Sequence, residues 1–167
     1  MSLLVCAVGC GVGAGPSAGP DIAFDACAPL ALMADPGSTD AAAAGVAGAL
    51  ALWNAKAGTH LMLPGDPAAA SAPGLPVHFQ NAAPPFHGFY DAPSGQVFIN
   101  TDLSGASLTI TITHEIGHAF GLAHVPPEQR SSVMNPNNLV VEPTAEDVDT
   151  LANRWGGCLA SDHPSSP

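Results

Sequence analysis

The sequence predicts an α+β domain built on a mixed sheet, and three observations carry that reading. A single helical pattern near the start is followed by several short strand-like runs separated by Gly and Pro turns, the order of elements expected of α+β architecture. The chain of 167 residues is 47% apolar and only 10% charged, which suits one packed domain and excludes a wholly disordered chain. No segment repeats, so solenoids and propellers are excluded. The domain is expected over residues 21–160, with a leader and tether at 1–20 and a flexible polar tail at 161–167.

The elements follow in order. Pro29 to Met33 is a short apolar run closed by the turn Asp35-Pro36-Gly37, and reads as a strand. Ser38, Thr39 or Asp40 can cap a helix to about Ala57, in which Val46, Leu50 and Trp53 recur at helical spacing and Gly58 supplies the stop. Thr59 to Leu63 reads as a second strand, Gly65 to Gly74 as a surface loop, and Leu75 to Gln80 as a third strand. Phe86–Asp91 and Gln96–Asn100 flank Ala92-Pro93-Ser94-Gly95 and read as a hairpin. Ser107 to Thr113 alternates like a strand, yet Leu108, Ile112, Ile116 and Phe120 also share a helix face. The unbroken apolar face favours a helix from about Ser107 to Gly121, with Ser107 near its N-cap. Pro143 to Asp149 opens a last helix that ends at Trp155-Gly156.

Charge narrows the function. Three basic residues (Lys56, Arg130, Arg154) face fourteen acidic ones, a formal charge of −11. So few cations exclude nucleic acid as a partner, because binding it rests on neutralising phosphates. A polybasic membrane patch is excluded likewise. Met1 to Gly19 carries no charge and contains a short apolar run before Cys10, which resembles the end of a bacterial lipoprotein signal. Lipidation of Cys10, with Cys6 the weaker choice, would attach the protein to a membrane through the tether. The expected location is extracellular or anchored to the cell envelope, and the protein is expected to be a monomer. In an exported chain, Cys27 and Cys158 bracket the body and are expected to form one disulfide.

The chemistry lies in residues 114–124, His-Glu-Ile-Gly-His-Ala-Phe-Gly-Leu-Ala-His. On a helix, His114 and His118 stand one turn apart on the same face and can converge on one cation. Glu115 projects beside them, where it can reach a metal-bound water. Gly121 permits a backbone turn that other residues resist, so that His124 can return as a third ligand. Three neutral nitrogens with a fourth position open are the ligand set of a catalytic zinc.

This elongated pattern, His114-Glu115-x-x-His118-x-x-Gly121-x-x-His124, resembles the zinc motif of the metzincin metallopeptidases. Ser132-Val133-Met134-Asn135-Pro136 resembles their Met-turn, in which a methionine, here Met134, packs beneath the ligands. The last helix, with Glu146 and Asp147 near its start and Trp155-Gly156 at its end, is similar to that of the matrixin branch. Both acids are also what a helix dipole favours in a first turn. In departure from the branch, Val125 follows His124 where matrixins usually carry serine, and the 167 residues hold no Pro-Arg-Cys-Gly switch segment. The resemblance implies a metzincin-like catalytic domain: a mixed, mostly parallel twisted sheet with two long helices, an active-site helix and a C-terminal helix.

It further implies a zinc-dependent endopeptidase acting on a peptide or protein substrate, with one catalytic Zn²⁺ on His114, His118 and His124 and with Glu115 as general base. Gly121 and Met134 would support the site. The hairpin Phe89–Asn100 is the candidate edge for pairing with substrate backbone. Tyr90, Pro136, Asn137 and Asn138, followed by Leu139, are the candidate pocket residues. His78, His87 and Asp91 are the candidates for a second, structural Zn²⁺ or Ca²⁺, which is not expected. His60 and His163 receive no role. Glu142 lacks the helical setting of a thermolysin-type third ligand. The alternatives are a zinc amidase acting on cell-wall peptides and a non-proteolytic zinc-binding lipoprotein.

Overall fold

Strand β1 (Leu30–Ala34) leads into helix α1 (Asp40–Ala57) in the structure, a computed structural model that describes residues 21–156 and 158–159. The expected leader (1–20) and tail (161–167) lie outside the described residues. Thr39 caps α1, its hydroxyl accepting from the Ala42 amide at 3.2 Å, and Gly58 ends it at φ 69° in the left-handed region.

The second strand, β2, is shorter than the sequence suggests and spans only Leu61–Met62. At this edge of the sheet the strand is met by Asn54 of α1. Its amide donates to the Leu61 carbonyl, and its oxygen accepts from the Leu61 amide and the Thr59 hydroxyl, so both backbone groups of Leu61 are satisfied by a helix side chain rather than by another strand. The expected loop at 65–74 also departs from expectation. Pro67–Ser71 coil into a short 3-10 helix capped by Asp66, and Gly74 already belongs to β3 (Gly74–Gln80). Strands β4 (Gly88–Asp91) and β5 (Gln96–Asn100) form the antiparallel hairpin. The sheet order is β2-β1-β3-β5-β4, with every pair parallel except β4 with β5. The sheet is therefore mixed and mostly parallel, with the antiparallel strand at one edge.

The ambiguous segment is helical. Helix α2 spans Gly105–Ala119 with Ser104 as its N-cap residue, so it starts and stops about two residues earlier than the sequence suggests. Its strand-like alternation is compatible with a helix because the threonine hydroxyls are satisfied inside it. Thr111 donates to the Ser107 carbonyl and Thr113 to that of Thr109. Burial on several sides explains the alternation, since α2 packs against α1 and against β4 and β5 of the sheet. Two glycines of α1 allow the helices to approach: a Cβ at Gly45 would lie 2.9 Å from Leu108, and one at Gly48 2.9 Å from Thr109. Helix α3 (Ala145–Trp155) closes the domain with a capping box between Thr144 and Asp147.

The core lies where α1, α2 and the sheet meet, around Trp53, Phe120, Leu32, Leu75, Ile99, Ile112 and Ile116. Trp53 packs edge-on to Phe120 and donates its ring N–H to the Thr113 carbonyl at 2.9 Å. A disulfide joins Cys27 to Cys158, with their Cα atoms 5.7 Å apart across 131 residues of sequence. It ties the segment before β1 to the end of α3.

Candidate metal centre

Helix α2 carries His114, Glu115 and His118 to the floor of a cleft of about 710 Å³. The helix then ends in a Schellman motif. Gly121, at φ +82°, donates to the His118 carbonyl, and Leu122 donates to that of Gly117. A side chain at Gly121 would be strained by this φ and would also meet the Arg154 guanidinium, 2.5 Å from an added Cβ. The cap turns the chain back so that His124 faces the two helical histidines.

The three Nε2 atoms lie 3.1, 3.1 and 3.2 Å from one another. Four ligands placed tetrahedrally at about 2.0–2.1 Å from zinc stand roughly 3.3 Å apart, so the spacing fits. Protonation fits as well. His114 Nδ1 lies 2.6 Å from the Val133 carbonyl and His118 Nδ1 2.8 Å from that of Leu122. A carbonyl only accepts, so both Nδ1 atoms carry the proton and both Nε2 atoms present lone pairs. Lone pairs facing each other at 3.1 Å repel unless a cation lies between them. Burial pushes His114 down to about 4, and the two neighbouring histidines push the same way, against the pull of the Val133 carbonyl. Burial likewise lowers His118. Both rings are thus held neutral, as metal binding requires. Among the described residues, no other group of three or more His, Cys, Asp or Glu brings its ligand atoms within 4.8 Å.

Glu115 lines the same cleft and is buried. Burial raises its carboxyl to about 8, opposed by a hydrogen bond from the Tyr90 backbone amide. That bond links the helix to β4, the sheet-edge strand, whose residues 88–90 also line the cleft. The Tyr90 phenol donates to the Ile22 carbonyl at 2.6 Å. Burial, with the carboxylates of Asp91 and Asp21, pushes it up to about 12, so it stays protonated. Pro136, Asn137 and Asn138 form the facing wall, while Leu139 lies outside the lining.

Beside the three histidines, Met134 is buried against the helix, and a Cβ on Gly117 would sit 2.5 Å from its sulfur. The turn around Met134 is held by polar bonds that the sequence did not advertise. Ser132 Oγ accepts from the Met134 amide, and the Ser132 amide donates to Asn135. Asn135 donates in turn to the Val125 and Arg130 carbonyls, and Asn138 to the Val133 carbonyl. The anchor is Asp147. Its Oδ1 accepts from Ser132 Oγ at 2.5 Å and lies 2.8 Å from Arg130, while its Oδ2 accepts from the Val133 and Thr144 amides at 2.9 and 3.0 Å. Burial pulls this carboxyl up, but the hydrogen bonds from Ser132, Thr144, Val133 and Arg130 prevail and hold it below the usual carboxylate range. The helix-dipole reading suffices for exposed Glu146 but not for Asp147, which reaches the turn that orients His114. The Thr144-x-x-Asp147 spacing signals a capping box, but no local signal marks the second target.

The structure does not join His78, His87 and Asp91 in one site. His78 is held between Asp35 and Gln96, and Asp91 accepts from Ser94.

Compared with known proteins, the chain matches the family model described as matrixin over residues 18–152. Matrix metalloproteinase-27 of Tupaia belangeri is 32% identical over 71 residues, which are 40% of this chain and 13% of that protein. The chain therefore spans a small part of that relative's length. Among solved structures, archaemetzincin from Methanopyrus kandleri superposes with a TM-score of 0.54 at 15% identity, covering 76% of this chain and 94% of that one. At that identity the likeness is one of fold.

Proposed function

The chain belongs to the matrixin family, and we propose on that premise that it is a zinc-dependent endopeptidase. The observation that carries the reading is the convergence of the three Nε2 atoms beside the buried Glu115. His114, His118 and His124 would hold the zinc. When bound there, zinc supplies Lewis acidity that lowers the pKa of water and polarises a carbonyl. Glu115 accepts a proton at its carboxylate and returns it to the leaving amine. Burial raises this carboxyl in the metal-free protein, and the positive charge of a bound zinc would draw it back toward the carboxylate that accepts the proton. The edge strand β4 offers backbone groups for a peptide laid along the cleft as an added strand. Tyr90 and the wall from Pro136 to Asn138 flank that path. The Cys27–Cys158 disulfide supports export to an oxidising compartment.

The test is zinc content and cleavage of unfolded casein by wild type and by Glu115→Ala. The expected result is one zinc per chain in both, with cleavage reduced on the order of 10²–10⁴-fold in the variant. Undiminished cleavage by the variant sinks the mechanism. Hydrolysis of peptidoglycan fragments in place of casein would move the assignment to a cell-wall amidase. Zinc binding with neither activity would leave a binding protein.

A further inference from the structure

Because β5 lies between β3 and β4 in the sheet, the β3–β4 connection must pass over the C-terminal end of β5. There its backbone leaves the ladder, and its carbonyls need other donors. Pro84 and Pro85 remove two amides from the segment, so it cannot supply enough of its own. Asn100, the last residue of β5, makes up the difference and is 3% exposed. Its Nδ2 donates to the Ala82 carbonyl at 2.9 Å and to the Phe86 carbonyl at 2.8 Å, and its backbone amide donates to His87 at 2.8 Å. Its Oδ1 accepts from the Asp102 amide at 3.1 Å. One buried amide thus grips both ends of residues 82–87.

That segment gives Ala83, Pro85, Phe86 and His87 to the wall of the cleft, whereas Asn100 does not line it. His87 also brings a buried ring nitrogen, Nδ1, with no partner.

We propose that Asn100 is a positioning residue that fixes the 82–87 wall, and that this wall selects substrates by contact with their side chains. The proposal rests on the peptidase reading. Asn100 acts on binding through the wall, and the zinc and Glu115 chemistry does not depend on it. Aspartate in its place keeps the size but loses both donations and sets a carboxylate against two carbonyls.

The experiment measures kcat and KM of wild type, Asn100→Asp, Phe86→Ala and the double variant on a long peptide and on one truncated to the residues around the scissile bond. Zinc content and amide hydrogen exchange are measured alongside. For Asn100→Asp the expected result is a rise in KM on the order of tenfold for the long peptide, with kcat and zinc content nearly unchanged and the short peptide unaffected. Exchange should quicken across residues 82–87. Phe86→Ala should raise KM similarly, and the double variant should add little to either change. Equal losses on both peptides, or unchanged KM with only lower thermal stability, would overturn the proposal. If Asn100→Asp does not fold, Phe86→Ala decides: an unchanged KM for the long peptide would overturn the wall's role. If wild type cleaves no peptide, the peptidase reading falls with the substrate part of this one, and exchange alone tests the clamp.

Discussion

Replacing Asp147 by asparagine removes a charge and almost no volume, so its effect isolates the four bonds that hold the turn beneath the metal site. One carboxylate oxygen faces Ser132 Oγ and Arg130, and the other faces the Val133 and Thr144 amides. However the new amide is turned, its NH₂ points at two donors. The least costly arrangement turns it toward Ser132, whose hydroxyl can rotate to accept, and gives up the charged bond to Arg130. One charged bond lost and the others weakened amount to about 3 kcal/mol. For a domain of this size that is a fall in Tm of about 6–12 °C. The Val133 carbonyl accepts from His114, so loosening the turn frees a ligand and should weaken zinc binding roughly 10–100-fold. The pH dependence has a definite sign. Asp147 has a lowered pKa when folded, so its stabilisation is present above its unfolded pKa and is lost as pH falls below it. The asparagine variant should therefore lose less stability on acidification. Urea unfolding from pH 7 to 3, with a competitive zinc titration, measures both effects. Equal stability at pH 7 together with unchanged zinc affinity would refute the reasoning.

Gly117→Ala should cost about 1–3 kcal/mol and lower zinc retention, since the added methyl overlaps the Met134 sulfur; thermal melts with and without zinc check it. Reducing the Cys27–Cys158 bond should cost about 4–5 kcal/mol in the chain-entropy picture, visible as a lower urea midpoint with thiol present. With a formal charge of −11, kcat/KM on a Lys- or Arg-flanked peptide should fall about tenfold as ionic strength rises from roughly 20 to 300 mM. An Asp-flanked peptide with the same scissile bond should not fall, and parallel slopes for the two would show that the net charge does not steer substrates.

How much of this was legible depended on range along the chain. The start of α1 at one of Ser38, Thr39 or Asp40, its stop at Gly58, and the spacing of His114, His118 and His124 are local signals; the structure caps α1 at Thr39, ends it at Gly58 and brings the three histidines together. The alternation in 107–113 served two readings because a helix buried on several sides loses its polar face. Only the packing of α2 against both α1 and the sheet decides it. The partner of the Leu61 backbone in β2 is Asn54, a side chain that α1 brings from outside the strand. The roles of Asp147 and Asn100 are less visible still, since each is defined by carbonyls and amides that the fold brings in from elsewhere, and neither residue type is unusual where it stands.

The meeting of Cys27 and Cys158 bears on how the chain could be rewired. Two points separated by 131 residues of sequence stand 5.7 Å apart, so the beginning and end of the domain share one patch of surface. A short linker from the end of α3 to the segment before β1 would close the chain into a ring at that patch. New termini could then be opened in the exposed stretch at 65–72, away in sequence from His114, His118 and His124. In such a permutant the two cysteines become near neighbours along the chain, and their bond closes only a small loop. Most of its entropic contribution passes to the peptide linker, so the permuted domain should tolerate replacement of both cysteines far better than the natural order does.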